Sequence, residues 1–314
     1  MKNKIIAIVG PTASGKTFAS VELAKSLETE IISCDSMQVY KEMNIGTAKA
    51  SKEEMQGIKH HLIDFLDVGI DFSVSEYVGL ADKKIKEIHS KNKVPIIAGG
   101  TGLYVKSLIY GIDFKENSRD ERLRQELLRE VEKGNSEILY DKLLSLDAKA
   151  CDNIHINNTK RLVRALEYCL VTGEKISEQS IIKEPKYDCL MLGISFRDRE
   201  KLYDRINKRV DLMILQGLED EAREYFKKST KTSAQAIGYK ELLPYFEGKI
   251  SKEEAIDNIK RETRRYAKRQ ITWFKAQENI NWFFIDDYKS LDEVLSEMKK
   301  CTNKFLFGGE KFEN

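Results

Sequence analysis

Long hydrophobic runs are missing from this 314-residue chain. None approaches the roughly 20 residues a membrane helix needs, so no membrane association is expected. The opening MKNK is basic, but the apolar run after it, IIAIV at 5–9, breaks at Gly10-Pro11. A secretory signal peptide is therefore not expected, and the cytoplasm is the expected compartment. Cysteine is sparse: Cys34, Cys151, Cys169, Cys189 and Cys301 form no CxxC pair, which argues against a zinc site or a disulfide framework. Excess charge of one sign is also lacking. Lys and Arg total 53 against 51 Asp and Glu, so an anionic partner must be met by local patches and not by the whole-protein field. Only four prolines are present, and no linker, repeat or low-complexity stretch stands out. The remaining composition, 41% hydrophobic and 33% charged, is that of a globular protein with a core plus room for an insertion.

The pattern along the chain indicates organisation. Residues 5–9 read as a buried strand, followed by a glycine loop and a helix that begins at Lys16. EIISCDSMQVY (30–40) gives a second strand ending near Cys34. VPIIAGGTGLYV (94–105) gives a third, running through a glycine turn into a helix. Strands alternating with helices predict an α/β fold, a P-loop NTPase-like parallel sheet flanked by helices, with ligands at the carboxyl ends of the strands. From 113 to 186 the texture is polar and helical. Leu123, Leu127, Leu128 and Val131 make one stripe, and TKRLVRALEYCLVTG is closed by Gly173. The expectation is an all-helical insertion at 113–186, with the α/β core formed by 1–112 and 187–314. CLMLGISF (189–196) reads as a returning strand, 254–277 as a long helix, INWFFID (280–286) as a late strand, and the tail from about Gly308 as frayed.

GPTASGKT at 10–17 completes the P-loop pattern. Gly10 and Gly15 let the backbone through Pro11, Thr12, Ala13 and Ser14 turn its N–H groups inward, and the following helix presents its N-terminus to an anion. Lys16 adds a mobile positive charge, and the Thr17 hydroxyl suits a Mg²⁺ that bridges phosphate oxygens. Most such loops bind nucleoside triphosphates such as ATP, but this one would hold any diphosphate.

Other residues fall at the same sheet edge. Asp35 is suited to hold Mg²⁺ through water or to act as a general base, and equally to cap a turn. Thr101 follows Gly99-Gly100, where paired glycines allow close approach of a ligand or serve a tight turn. Lys260, Arg264 and Lys268, with Arg261, Arg265 and Arg269, make two basic ridges opposed only by Glu262, which favours a phosphate-rich partner. Lys160, Arg161 and Arg164 crowd a helix N-terminus, where positive charge suits binding more than helix stability. Arg205 and Arg209 are a candidate anion clamp, with surface ion pairing to Asp204 or Asp211 as the alternative. Adjacent His60 and His61 point different ways on any regular element, so structural or hydrogen-bonding roles are expected for them.

Together GPTASGKT, SCDSMQVYKEMNIGTAKAS, HHLIDF, PIIAGGTGLYVKSL, TKRLVRALE, AIGYKE and RRYAKRQITWF resemble the bacterial tRNA dimethylallyltransferases, in order from residue 10 to about 274. The resemblance implies that the loop at 10–17 holds the diphosphate of dimethylallyl diphosphate and does not serve ATP hydrolysis. It implies transfer of the dimethylallyl group to N6 of adenosine 37 of tRNA, in tRNAs reading codons that begin with U. On the same basis Asp35 is the base, Thr101 binds substrate near the amine, Mg²⁺ at Thr17 is the cofactor, and Arg205 and Arg209 bind diphosphate. Carried over as tRNA contacts are Asp35, Ser36, Met37, Gln38, Thr101 and Arg124, the stretch Lys160, Arg161, Leu162, Val163 and Arg164, and the stretch Gln235, Ala236, Ile237, Gly238, Tyr239 and Lys240. The insertion would grip the anticodon stem-loop, a monomer suffices, and no zinc finger is expected beside the lone Cys301. The competing classes are a P-loop kinase, a transferase acting on free adenylate, and a P-loop RNA-binding switch that leaves the base unmodified.

Overall fold

The computed structural model describes residues 2–112, 120–178, 184–228 and 236–308. Its sheet has six strands: β1 (Lys4–Val9), β2 (Ile31–Ser33), β3 (His60–His61), β4 (Ile96–Gly99), β5 (Asp188–Ser195) and β6 (Ile280–Phe284). They lie in the order β3-β2-β4-β1-β5-β6, and every pairing is parallel. β1 is central, and Ile5 through Val9 are wholly buried, because helices cover both faces of a parallel sheet and leave no solvent side for alternation. The register Val9↔Gly99 ends β1 and β4 together, while β5, paired Val9↔Gly193, runs on to Ser195. The loops after them, and the one after β2, therefore meet at one edge.

β3 is the strand that periodicity could not reveal, since two residues carry no period. Its histidines are structural: His61 is 8% exposed with Nε2 2.6 Å from Glu30, and His60 Nδ1 lies 2.9 Å from the Ile58 carbonyl. Among the described residues no group of His, Cys, Asp and Glu could hold a metal alone, and the five cysteines are free. No described helix is long and apolar enough to cross a membrane.

Local chemistry starts the helices and packing decides how far they run. The tetrapeptide SKEE occurs at 51–54 and 251–254, and each copy forms a reciprocal capping box. The first initiates only Lys52–Met55, because Gln56 and Gly57 turn left-handed directly after it. The second initiates Lys252–Lys275, whose Ala255, Ile259, Ala267 and Phe274 are buried. A helix at Leu291–Phe307 packs Val294, Leu295 and Met298 onto the sheet and ends at left-handed Gly308.

The chain divides into two compact units, one of residues 1–109 with 186–314 and one of Tyr110–Pro185. The second unit's described residues form the helices Glu121–Glu132, Ser136–Leu146, Ala148–Cys151 and Thr159–Thr172, with no strand among them. Its core is Leu127, Leu139, Leu143, Leu162, Val163, Leu166 and Tyr168. Asn158 caps the Thr159–Thr172 helix and Gly173 closes it at φ 70°.

Candidate active site

The glycine loop is built by its neighbours. Gly10 has φ 147°, and a Cβ there would lie 2.1 Å from the Ile194 carbonyl oxygen of β5, so no other residue fits. Ala13 takes the left-handed conformation at φ 62° without glycine's freedom, at a cost of about 1 kcal/mol. Gly15 (φ 86°) turns the chain into the helix Lys16–Ser26, which no side chain caps, so its first N–H groups face the loop's hollow. Ser14 Oγ is buried there with no protein partner, a donor suited to a phosphate oxygen.

Cations close over the hollow. Lys16 Nζ donates to the Pro11 carbonyl at 2.5 Å. Burial, and after it the charge of Arg209, pushes the Lys16 ammonium down to about 7, while Asp35 opposes the shift. Arg205 and Arg209 sit one turn apart on the helix Arg199–Leu215 that follows β5. Arg205 Nε donates to the Ala13 carbonyl at 3.0 Å, and Arg209 donates to Thr12 Oγ1 at 3.2 Å. Burial pulls the Arg209 guanidinium below its ordinary range, and the Asp35 charge counters it. Both arginines thus belong to the loop and not to surface pairs with Asp204 or Asp211.

Asp35 follows β2, and the structure shows its capping reading. Its Oδ1 accepts from the N–H groups of Met37 (2.8 Å) and Gln38 (3.2 Å), which is the capping geometry. Its charge also reaches Lys16 and Arg209, as a carboxylate beside the loop must. Thr101 Oγ1 accepts from Ser36 N–H at 3.2 Å, and beside it lies the Tyr266 hydroxyl, whose pKa is pushed up to about 12 by burial and then by Asp35. The Gln38 amide donates to the carbonyls of Thr47 (3.1 Å) and Ala48 (3.3 Å), and so ties its own loop together.

Four of the carried-over contact residues have buried side chains. Leu162 and Val163 are 0% and 3% exposed in the helical unit's core, and Ala236 and Tyr239 are 3% and 0% exposed in a core of the α/β unit. These side chains are packing, with the Tyr239 hydroxyl donating to Glu221 at 2.6 Å. In the Thr159–Thr172 helix only part of the stretch turns outward, and in 236–240 the chain turns without forming a helix. Lys160 and Arg161 are exposed. Arg124 and Arg164 both bind the fully buried Glu167, at 2.7 and 3.2 Å, and so help hold the helical unit. Gly238 N–H donates to Glu241 (2.8 Å), Lys240 pairs with it at 3.7 Å, Ile237 is half-buried, and Gln235 lies outside the described residues. The basic ridges also have more opposition than Glu262. Lys260 pairs with Asp211 at 2.6 Å and Arg264 donates to Asn207 at 2.6 Å, which leaves Lys268 and Arg269 on the exposed side. Gln270 and Tyr266 carried no sequence signal of their own, because both sit within a helix pattern that packing alone explains.

The family model described as IPP transferase matches residues 38–277. The chain belongs to the IPP transferase family. The tRNA dimethylallyltransferase of Thermoanaerobacter sp. strain X514 is 48% identical, over 99% of this chain and 100% of that protein. The crystal structure of the full-length tRNA isopentenylpyrophosphate transferase from Bacillus halodurans shares 44% identity, with a TM-score of 0.75 over 98% of each chain. A eukaryotic dimethylallyltransferase acting on tRNA, at 28% identity, superposes with a TM-score of 0.79 over 99% of this chain and 87% of that one. The IPP transferase match begins at Gln38, so the loop 10–17 and Asp35 lie before it, within the stretch that the full-length relatives cover.

Proposed function

We propose that this tRNA dimethylallyltransferase moves the dimethylallyl group of dimethylallyl diphosphate to N6 of adenosine 37, on the 3′ side of the anticodon, in tRNAs that read codons beginning with U. The N6 lone pair forms a bond to C1 of the allyl group. The C1–O bond breaks with its electrons going to diphosphate, and the N6 proton passes to the Asp35 carboxylate. The observation that carries this reading is one carboxylate within the field of two half-buried cations of an anion loop, beside a threonine hydroxyl.

The loop N–H groups, Ser14, Lys16, Arg205 and Arg209 meet the charge that grows on the departing diphosphate. Asp35 uses Oδ1 for its own loop, which leaves Oδ2 for the proton. Thr101 orients the acceptor amine. The adenine must leave the anticodon stack to reach them, as bases do in enzymes acting on their edges. Lys160 and Arg161 supply phosphate contacts from the helical unit.

Mg²⁺ fits this donor set as a companion of the substrate. No described cluster could hold the ion by itself, and Mg²⁺ commonly sits on substrate phosphates and waters with one or two protein groups. Thr17 is the group that would hold it, and the ion would supply further charge neutralisation at the leaving diphosphate. The enzyme is taken to act as a monomer in the cytoplasm, without ATP hydrolysis.

The competing classes are separated by incubating unmodified tRNA with dimethylallyl diphosphate labelled in the allyl group, and in parallel with γ-labelled ATP. Allyl label in tRNA supports transfer. ATP turnover with unlabelled tRNA would favour a kinase or switch.

A further inference from the structure

The two halves of the site are joined by one buried side chain. Gln270, on the helix Lys252–Lys275, is 6% exposed, and both ends of its amide are engaged. Oε1 accepts from Thr12 N–H at 2.8 Å, inside the anion loop. Nε2 donates to the Gly100 carbonyl at 3.0 Å, directly before Thr101. The glycines of AGGTG are fitted to this contact. A Cβ on Gly100 would lie 2.2 Å from Gln270 Nε2, one on Gly99 2.0 Å from the Cys34 carbonyl oxygen, and one on Gly102 2.2 Å from the Trp273 ring. The turn that carries Thr101 is thus pressed between the backbone leading to Asp35 and one face of the long helix. One turn earlier on that helix, the Tyr266 hydroxyl lies beside Thr101.

The chemistry of the pair of bonds is specific. One partner is a donor and the other an acceptor, so a neutral amide satisfies both. A carboxylate would satisfy only Thr12 and would set a negative charge beside the anion loop. An apolar side chain would leave a buried N–H and a buried carbonyl unpaired. The amide also takes up the Thr12 N–H, so this donor of the loop serves alignment and not the diphosphate.

We propose that Gln270 is a positioning residue that fixes the spacing between the leaving-group loop and the Thr101 side of the acceptor site. It acts through Thr12 and Gly100 and touches neither reactant. The inference rests on the transfer reaction proposed above.

The test compares wild type, Gln270→Met and Gln270→Glu in label transfer to tRNA, with dimethylallyl diphosphate binding measured separately without tRNA. Misalignment of reacting groups by about 1 Å costs on the order of 10²-fold in rate, so Gln270→Met should lose kcat on that scale while KM for both substrates changes only a few-fold. Gln270→Glu should lose kcat similarly and also bind the diphosphate at least about tenfold more weakly than Gln270→Met, from the added charge. A Gln270→Met protein that binds the diphosphate normally and keeps wild-type kcat overturns the proposal. So does a loss confined to KM, or one that only tracks the folded fraction. Should Gln270→Met not fold, Gln270→Glu carries the same kcat criterion. If wild type transfers no label, the transfer reading itself has failed; full transfer by wild type and variants alike removes Gln270 alone.

Discussion

Lys16 should make diphosphate binding fall steeply with pH. In the ligand-free protein its ammonium is held down to about 7, first by burial and then by Arg209. A bound diphosphate offsets the Arg209 charge and accepts hydrogen bonds, which returns Lys16 toward its ordinary 10.5. Below about 7 both forms are protonated and affinity is flat; between the two values binding takes up one proton and weakens as pH rises. With those two limits, affinity drops about sixteen-fold between pH 7 and 8.5, and proton uptake approaches one at pH 8.5. The ligand for the assay is dimethylallyl diphosphate without tRNA, whose last ionisation lies near ~6, as for phosphate monoesters, and so below this window. Calorimetry in buffers of different ionisation enthalpy reads both quantities. Lys16→Met should bind more weakly but with no slope across the same range. An affinity independent of pH in wild type, or the same slope in Lys16→Met, would refute the reasoning.

Three further outcomes follow from the geometry. Glu167→Ala leaves Arg124, Arg164 and the Asp120 N–H without their shared carboxylate; both arginines are about one-third exposed and can reach water, so the expected loss is about 2 kcal/mol and not the 3–5 of a fully buried pair, read by urea unfolding. Replacing Lys160 and Arg161 with alanine should flatten the dependence of log tRNA affinity on log salt by about 1.4 to 1.8, and an unchanged slope would remove that patch from the interface. Gly100→Ala places a methyl 2.2 Å from Gln270 Nε2, and should depress turnover far more than it depresses the binding of dimethylallyl diphosphate, measured side by side.

The parts of the molecule that were legible in the sequence are those whose physics is local. An apolar run ending in glycine is a strand entering a tight turn, and so β1 and its loop could be placed at once, as could the helix closed by Gly173. The parallel sheet followed from alternation, and the structure bears it out. Two-residue β3 was not legible, because its pairing with Ile31 and Ile32 is decided by the sheet and not by its own side chains. Within the site, Asp35 could be located and a turn cap was among its readings, but which groups it caps could not be read, since the bonds depend on the path of the chain through Met37 and Gln38. Gln270 was hidden for the opposite reason. Its partners are 258 and 170 residues away, and a buried glutamine in an amphipathic helix has no period of its own. That the side chains of Leu162, Val163, Ala236 and Tyr239 turn inward was likewise not legible, because a contact stretch read as a motif does not say which way each side chain points.

Asp35 offers the cleanest handle on the chemistry, because asparagine keeps the oxygen that caps Met37 and Gln38 while it removes the proposed base. The most direct measurement is therefore nuclease digestion and mass spectrometry of tRNA after reaction with dimethylallyl diphosphate, for wild type beside Asp35→Asn. The account predicts N6-(dimethylallyl)adenosine at position 37 with wild type, and a rate on the order of 10²–10⁴-fold lower with Asp35→Asn at undiminished tRNA binding. An unmodified adenosine 37 after wild-type reaction, or equal rates for the two proteins, would contradict it.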